Sequence, residues 1–128
     1  MTCIIRNFSE DGYLLITHGD NEESFSLKNN ITQTIQAMIE NNCYKVLADY
    51  SNSSLETGIF TMLDFHQFSN ESLEKHNISP LLIKQAFVLN KEQAAYKDFL
   101  FFETLCVNRG QKVKIFEARD EAVSWLIK

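Results

Sequence analysis

Residues 101–126 read "FFETLCVNRGQKVKIFEARDEAVSWL". Phe102 and Cys106 recur at helical spacing, and Gly110 follows where a left-handed C-terminal cap belongs. In "KVKIF", Val113 and Ile115 alternate with lysines, the period of a strand. Ala118, Ala122, Trp125 and Leu126 then return to one helical face. Helix, glycine, strand and helix in immediate succession form the building unit of an α/β protein.

The same alternation extends upstream. Gln85–Leu89 reads as a short apolar strand, followed by a long helix from about Lys91 to Asn108. Before it come "YKVLA", a buried strand, a helix over Gly58–Phe68, and "NESLEKHNISP", a short helical turn or loop. Leu27, Ile31, Ile35, Met38 and Ile39 mark an earlier helix that ends at Asn41–Asn42. Thr2–Phe8 and Tyr13–Thr17 read as two strands joined through "SEDG", where Gly12 after Asp11 suits a tight hairpin. The order is ββαβαβαβα. It predicts one α/β domain over residues 1–128, with a mixed sheet of about five strands and four or so helices. Helix-linked strands should be parallel with right-handed crossovers.

Composition narrows the function. The chain has 128 residues, 45% of them hydrophobic, and a net charge of −5. Lys112 and Lys114 are the densest basic spot in the sequence, so nucleic acid and anionic membrane are not the expected partners. No apolar run approaches a membrane span and no targeting signal opens the chain. Cys3, Cys43 and Cys106 show no metal or redox spacing, which fits reduced thiols and a cytoplasmic location. The N-x-S/T matches at Asn7, Asn30, Asn52, Asn70 and Asn77 are accidents of an Asn-rich chain in that setting.

Phe102-Glu103, Asn108-Arg109-Gly110, Val113, Ile115-Phe116, Ala122 and Trp125-Leu126 resemble the C-terminal signature of SpoIIAA-like proteins. These are bacterial relatives of the STAS domain (sulfate transporter and anti-sigma-factor antagonist). The resemblance implies that fold over essentially the whole chain and a non-catalytic protein-interaction or regulatory role. It also brings features shared with lipid-binding CRAL-TRIO domains, so a carrier or sensor of an apolar ligand is the alternative. STAS regulators are switched at a serine in a D-S-S-G-type motif after the third strand. Here that place holds Glu56-Thr57-Gly58-Ile59, with Gly58 at the acceptor position.

The loop after the third strand is therefore read with two roles in view. Asp49, Ser51, Ser53, Ser54 and Thr57 form a regulatory or ligand loop, or Ser53, Ser54 and Thr57 simply cap the next helix. A hydrolase would draw on His18, Asp20, Asp49, Ser51, Asn90 and Lys91, all at carboxyl ends of strands, but nucleophile-elbow glycines are missing. The catalytic set is therefore read as empty. His18, His66 and His76 lack metal-ligand spacing, so no metal or cofactor is expected. His66 reads as a satisfied histidine at the edge of the core.

Aromatic residues exceed what two helices need to bury. On the long helix Ala95, Phe99, Phe102 and Cys106 face the sheet, leaving Tyr96, Leu100, Phe101 and Val107 over. On the earlier helix Ile59, Met62, Leu63 and His66 are expected inward, with Phe60, Phe65 and Phe68 elsewhere. The surplus is core, an interface, or the lining of an apolar pocket. Core is the general tendency of such stripes; between the other two the interface is preferred, which makes a homodimer the expected assembly, with a further protein partner or a small apolar ligand as other occupants.

Overall fold

Gly12 adopts φ 94°, which lets the chain reverse after a 3-10 turn at Ser9–Asp11 and lay two strands side by side. The computed structural model describes residues 4–18, 24–53 and 58–128. Its strands are β1 (Ile4–Phe8), β2 (Tyr13–Thr17), β3 (Lys45–Asp49), β4 (Lys84–Val88) and β5 (Lys112–Phe116). Its helices are α1 (Ser24–Asn41), α2 (Ile59–Lys75), α3 (Tyr96–Asn108) and α4 (Arg119–Leu126).

The sheet runs β1-β2-β3-β4-β5 in simple sequence order, with β1 antiparallel and the rest parallel. Each crossover steps one strand in the same direction. Crossovers of one hand then place α1, α2 and α3 on the same face. Strand alternation divides the core accordingly. Leu14, Ile16, Val46, Ala48, Phe87 and Val113 meet the three helices, while Leu15, Leu47, Ala86 and Val88 meet Ala122 and Leu126 of α4. Each fully buried leucine here, such as Leu14, Leu47 or Leu126, contributes about 1.5–3 kcal/mol by leaving water.

Helix ends follow local chemistry. Asn42 takes φ 48° and the Cys43 amide donates back to the Met38 carbonyl, closing α1. Gly110 takes φ 78° and Gln111 donates to Cys106 O at 2.9 Å, closing α3 in the same way. Two boundaries differ from expectation. Helix α2 continues through "NESLEK" to Lys75, because Leu73 is buried and extends its apolar stripe. Helix α3 begins at Tyr96 rather than Lys91, since Gln93 Oε1 accepts from the Asn90 amide and holds the preceding residues in turns.

Candidate functional site

The carboxyl ends of β2, β3 and β4 converge on the loop after β3. Asp49, the last residue of β3, is buried on the α4 side of the sheet. Its Oδ1 accepts from the Ser51 amide at 2.9 Å, and its Oδ2 accepts from Arg119 Nη2 at 2.6 Å and Nε at 3.1 Å. Burial works to raise the carboxyl, but the Ser51 hydroxyl and amide and the Arg119 guanidinium hold it below its ordinary value. Gln93 fastens the other side of the loop, donating to Tyr50 O at 2.8 Å and Ser53 O at 2.9 Å. Neither Arg119 nor Gln93 carried a signal in the sequence, because each acts on a segment dozens of positions away.

Tyr50 and His18 lie on the opposite side. Their rings stack at 3.8 Å with only 5° between planes, and His18 Nδ1 lies 3.0 Å from Asn30 Nδ2. The His18 amide donates to Asp49 O, so one residue of offset sends the two side chains to opposite faces. The Ser-His-Asp arrangement drawn from the sequence therefore does not assemble. Lys91 pairs with Glu117 at 3.6 Å at the rim. Asp20, Ser54, Glu56 and Thr57 lie outside the described residues. The N-cap of α2 is Gly58, which has no side chain to offer.

The aromatic surplus divides three ways. Phe65 is only 6% exposed and packs against Phe102 with centroids 5.0 Å apart and planes inclined by 48°. Phe102 meets Phe87, Phe87 meets Phe99, and Phe99 meets Tyr50, so a chain of rings fills the space between sheet and helices. Phe65 is thus core and not surface; the inward stripe of α2 is Met62, Phe65, His66 and Leu73, while Ile59 and Leu63 turn outward. Phe68, Tyr96 and Phe101 pack partly buried against the same cluster, and Leu100 is half-exposed. Phe60 alone among these rings stands free, 85% exposed.

A cavity of about 70 Å³ lies between the sheet and α1–α3, bounded by His18 and Tyr50 at one end and Gln85, His66 and Gln111 at the other. A single water needs on the order of 10–15 Å³ by this measure and a drug-sized ligand roughly 300–1,000 Å³. The cavity holds room for a few waters and is smaller than a drug-sized ligand fills. His66 Nε2 lies 3.2 Å from Gln111 Oε1 and 3.4 Å from Asn70 Nδ2, while Gln111 Nε2 donates to Asn70 Oδ1 at 3.0 Å. Burial lowers the His66 pKa against the favourable Gln111 bond, with the nearby Arg109 charge adding to the lowering. Among the described residues no group of three or more His, Cys, Asp and Glu is placed to hold a metal, and no helix is long and apolar enough to cross a membrane.

The same fold occurs in a crystal structure of an uncharacterised protein of the DUF3478 family, with a SpoIIAA-like fold, from Shewanella loihica PV-4. The two superpose with a TM-score of 0.54 over 98% of this chain and 92% of that one, at 16% sequence identity. The chain has a SpoIIAA-like α/β fold. This likeness supports the SpoIIAA-like fold and lends no support to the CRAL-TRIO features drawn from the sequence. No protein-family model and no curated protein matches the sequence.

Proposed function

We propose that the chain is a non-catalytic interaction or regulatory module that works as a twofold homodimer, joined through the first two turns of α2. The observation that carries this reading is Phe60, 85% exposed, with Ile59 at 53% and Leu63 at 41% beside it. A contiguous exposed apolar cluster of this kind marks an association surface, and a twofold dimer needs only one such patch. The stretch just before it in sequence, with Ser51, Ser53, Ser54 and Thr57, is the segment through which that surface is regulated. Cys43 and Cys106, buried and unpaired, favour a reducing compartment such as the cytoplasm.

A native mass spectrum of the wild-type protein and of Phe60→Asp tests the reading. The expected result is a doubled mass for the wild type and a single mass for the variant, with matching circular dichroism. A wild-type monomer at micromolar concentration, or a dimer that survives the substitution, overturns it.

A further inference from the structure

The face of the sheet away from α2 carries a charge arrangement that the sequence conceals. At the amino ends of the parallel strands Lys45 stands in register with Lys84, and Lys84 with Lys112. All three leave by the same face as Leu47 and Ala86, the face that α4 covers. Neighbouring strands lie about 4.8 Å apart, so the row spans roughly 10 Å. Lys114 follows two residues along β5, and the Lys128 charge is close enough to act on Lys84. In a chain of net charge −5, five of the 12 basic residues thus gather in one place.

Local duties explain part of the cluster. Lys84 Nζ donates to Trp125 O at 2.6 Å near the carboxyl end of α4 and sits 4.6 Å from the Trp125 ring centroid. Lys112 and Lys114 guard an edge strand against unwanted pairing. Neither duty calls for Lys45 on an interior strand, directly in line with the others. Like charges opposed across strands destabilise a sheet. Burial, with the Lys45, Lys112 and Lys128 charges, holds Lys84 below the usual lysine range. Among the described residues none of the five forms an ion pair.

We propose that this lysine row docks an acidic, Asp- and Glu-rich segment of a partner protein. Charge complementarity selects the occupant, and its extent selects the class. A membrane or a nucleic acid presents negative charge over a far wider area than 10 Å, where the rest of this acidic chain meets repulsion. A short segment senses the row alone. Phe8 and Tyr13, stacked at 5.4 Å on the same face, and Trp125 provide apolar flanks for its aliphatic stems. The surface is separate from Phe60, on the other side of the sheet, and stands whether or not the α2 dimer forms.

The test is fluorescence anisotropy of a labelled hexaglutamate peptide at low ionic strength, with hexalysine as control. Hexaglutamate should bind, weaken as salt rises, and weaken by about tenfold, near 1.4 kcal/mol, in Lys45→Gln/Lys112→Gln. Lys75→Gln/Lys97→Gln removes the same charge from exposed sites on α2 and α3 and should bind as wild type. Lys84 is left in place because it holds α4. Should the first variant fail to fold, amide shifts of the wild-type protein on adding hexaglutamate should centre on Lys45 and Lys112. Absence of binding, equal weakening in both variants, shifts confined to other elements, or tighter binding to phosphatidylserine vesicles or duplex oligonucleotide overturns the proposal.

Discussion

Arg119 Nη2 lies 2.6 Å from Asp49 Oδ2, joining the first residue of α4 to the last residue of β3 across 70 positions of sequence. The carboxylate is 6% exposed and the guanidinium 52%, so the acid is the costlier partner to strand. Arg119→Ala should lower stability by about 1.5–3 kcal/mol, the range for hydrogen bonds to charged groups, read as a drop in urea midpoint. The folded pKa of Asp49 is depressed from 3.8, so its contribution is present above that value and lost as pH falls through the folded one. Urea midpoints between pH 5 and pH 2 should fall less steeply for Asp49→Asn than for the wild type.

His66 sets a second, earlier acid step. Its folded pKa lies below 6.5, so above that pH folded and unfolded chains are both neutral there and nothing changes. Below it the unfolded chain takes up the proton first, and stability declines as pH drops from 6.5 toward the folded value. His66→Gln should flatten the unfolding free energy between pH 6.5 and pH 5 while leaving the Asp49 step in place.

Phe60 and Phe65 are five residues apart on one helix and should behave as opposites. Phe65→Ala removes a ring from the packed cluster and should cost about 3–5 kcal/mol. Phe60→Ala should change the stability of the single chain, read at a concentration below that at which dimers form, by less than about 0.5 kcal/mol. Thermal unfolding of the two variants side by side checks both figures.

Burial pushes the Cys106 thiol up to about 12, with Glu103 adding to the shift and Arg109 opposing it. Iodoacetamide at pH 8 should therefore leave Cys106 unmodified in the folded protein and label it within minutes in urea, as peptide mass mapping would reveal. Labelling at equal rates in both states would contradict its burial.

The sequence made the strands legible because each is a short apolar run between polar turns, and Gly12 and Gly110 punctuate them where positive φ is required. Helical faces were harder to read. On α2 nearly every apolar residue from Ile59 to Phe68 can be placed on some stripe, and only the burial of Leu73 fixes which one turns inward. The end of β3 at Asp49 and the polar residues that follow are legible in the sequence, whereas what anchors Asp49 and Tyr50 is not. Arg119 and Gln93 look like ordinary surface residues until the sheet brings them to Asp49 and Tyr50. The lysine row was invisible for the same reason, since strand register and not sequence proximity aligns Lys45, Lys84 and Lys112.

Sequential strand order also bears on how the molecule is made. Every strand from β2 onward pairs with its immediate predecessor, so a chain emerging from the ribosome can add each one to a template already present. Only α4 must reach back, past β5 and β4 to Asp49 on β3. Until it does, Leu15, Leu47, Ala86 and Val88 remain wet on that face. A nascent chain stalled with α4 still inside the exit tunnel should therefore resist protease over β2–β4 yet bind a hydrophobic dye, and release of the last helix should extinguish the dye signal.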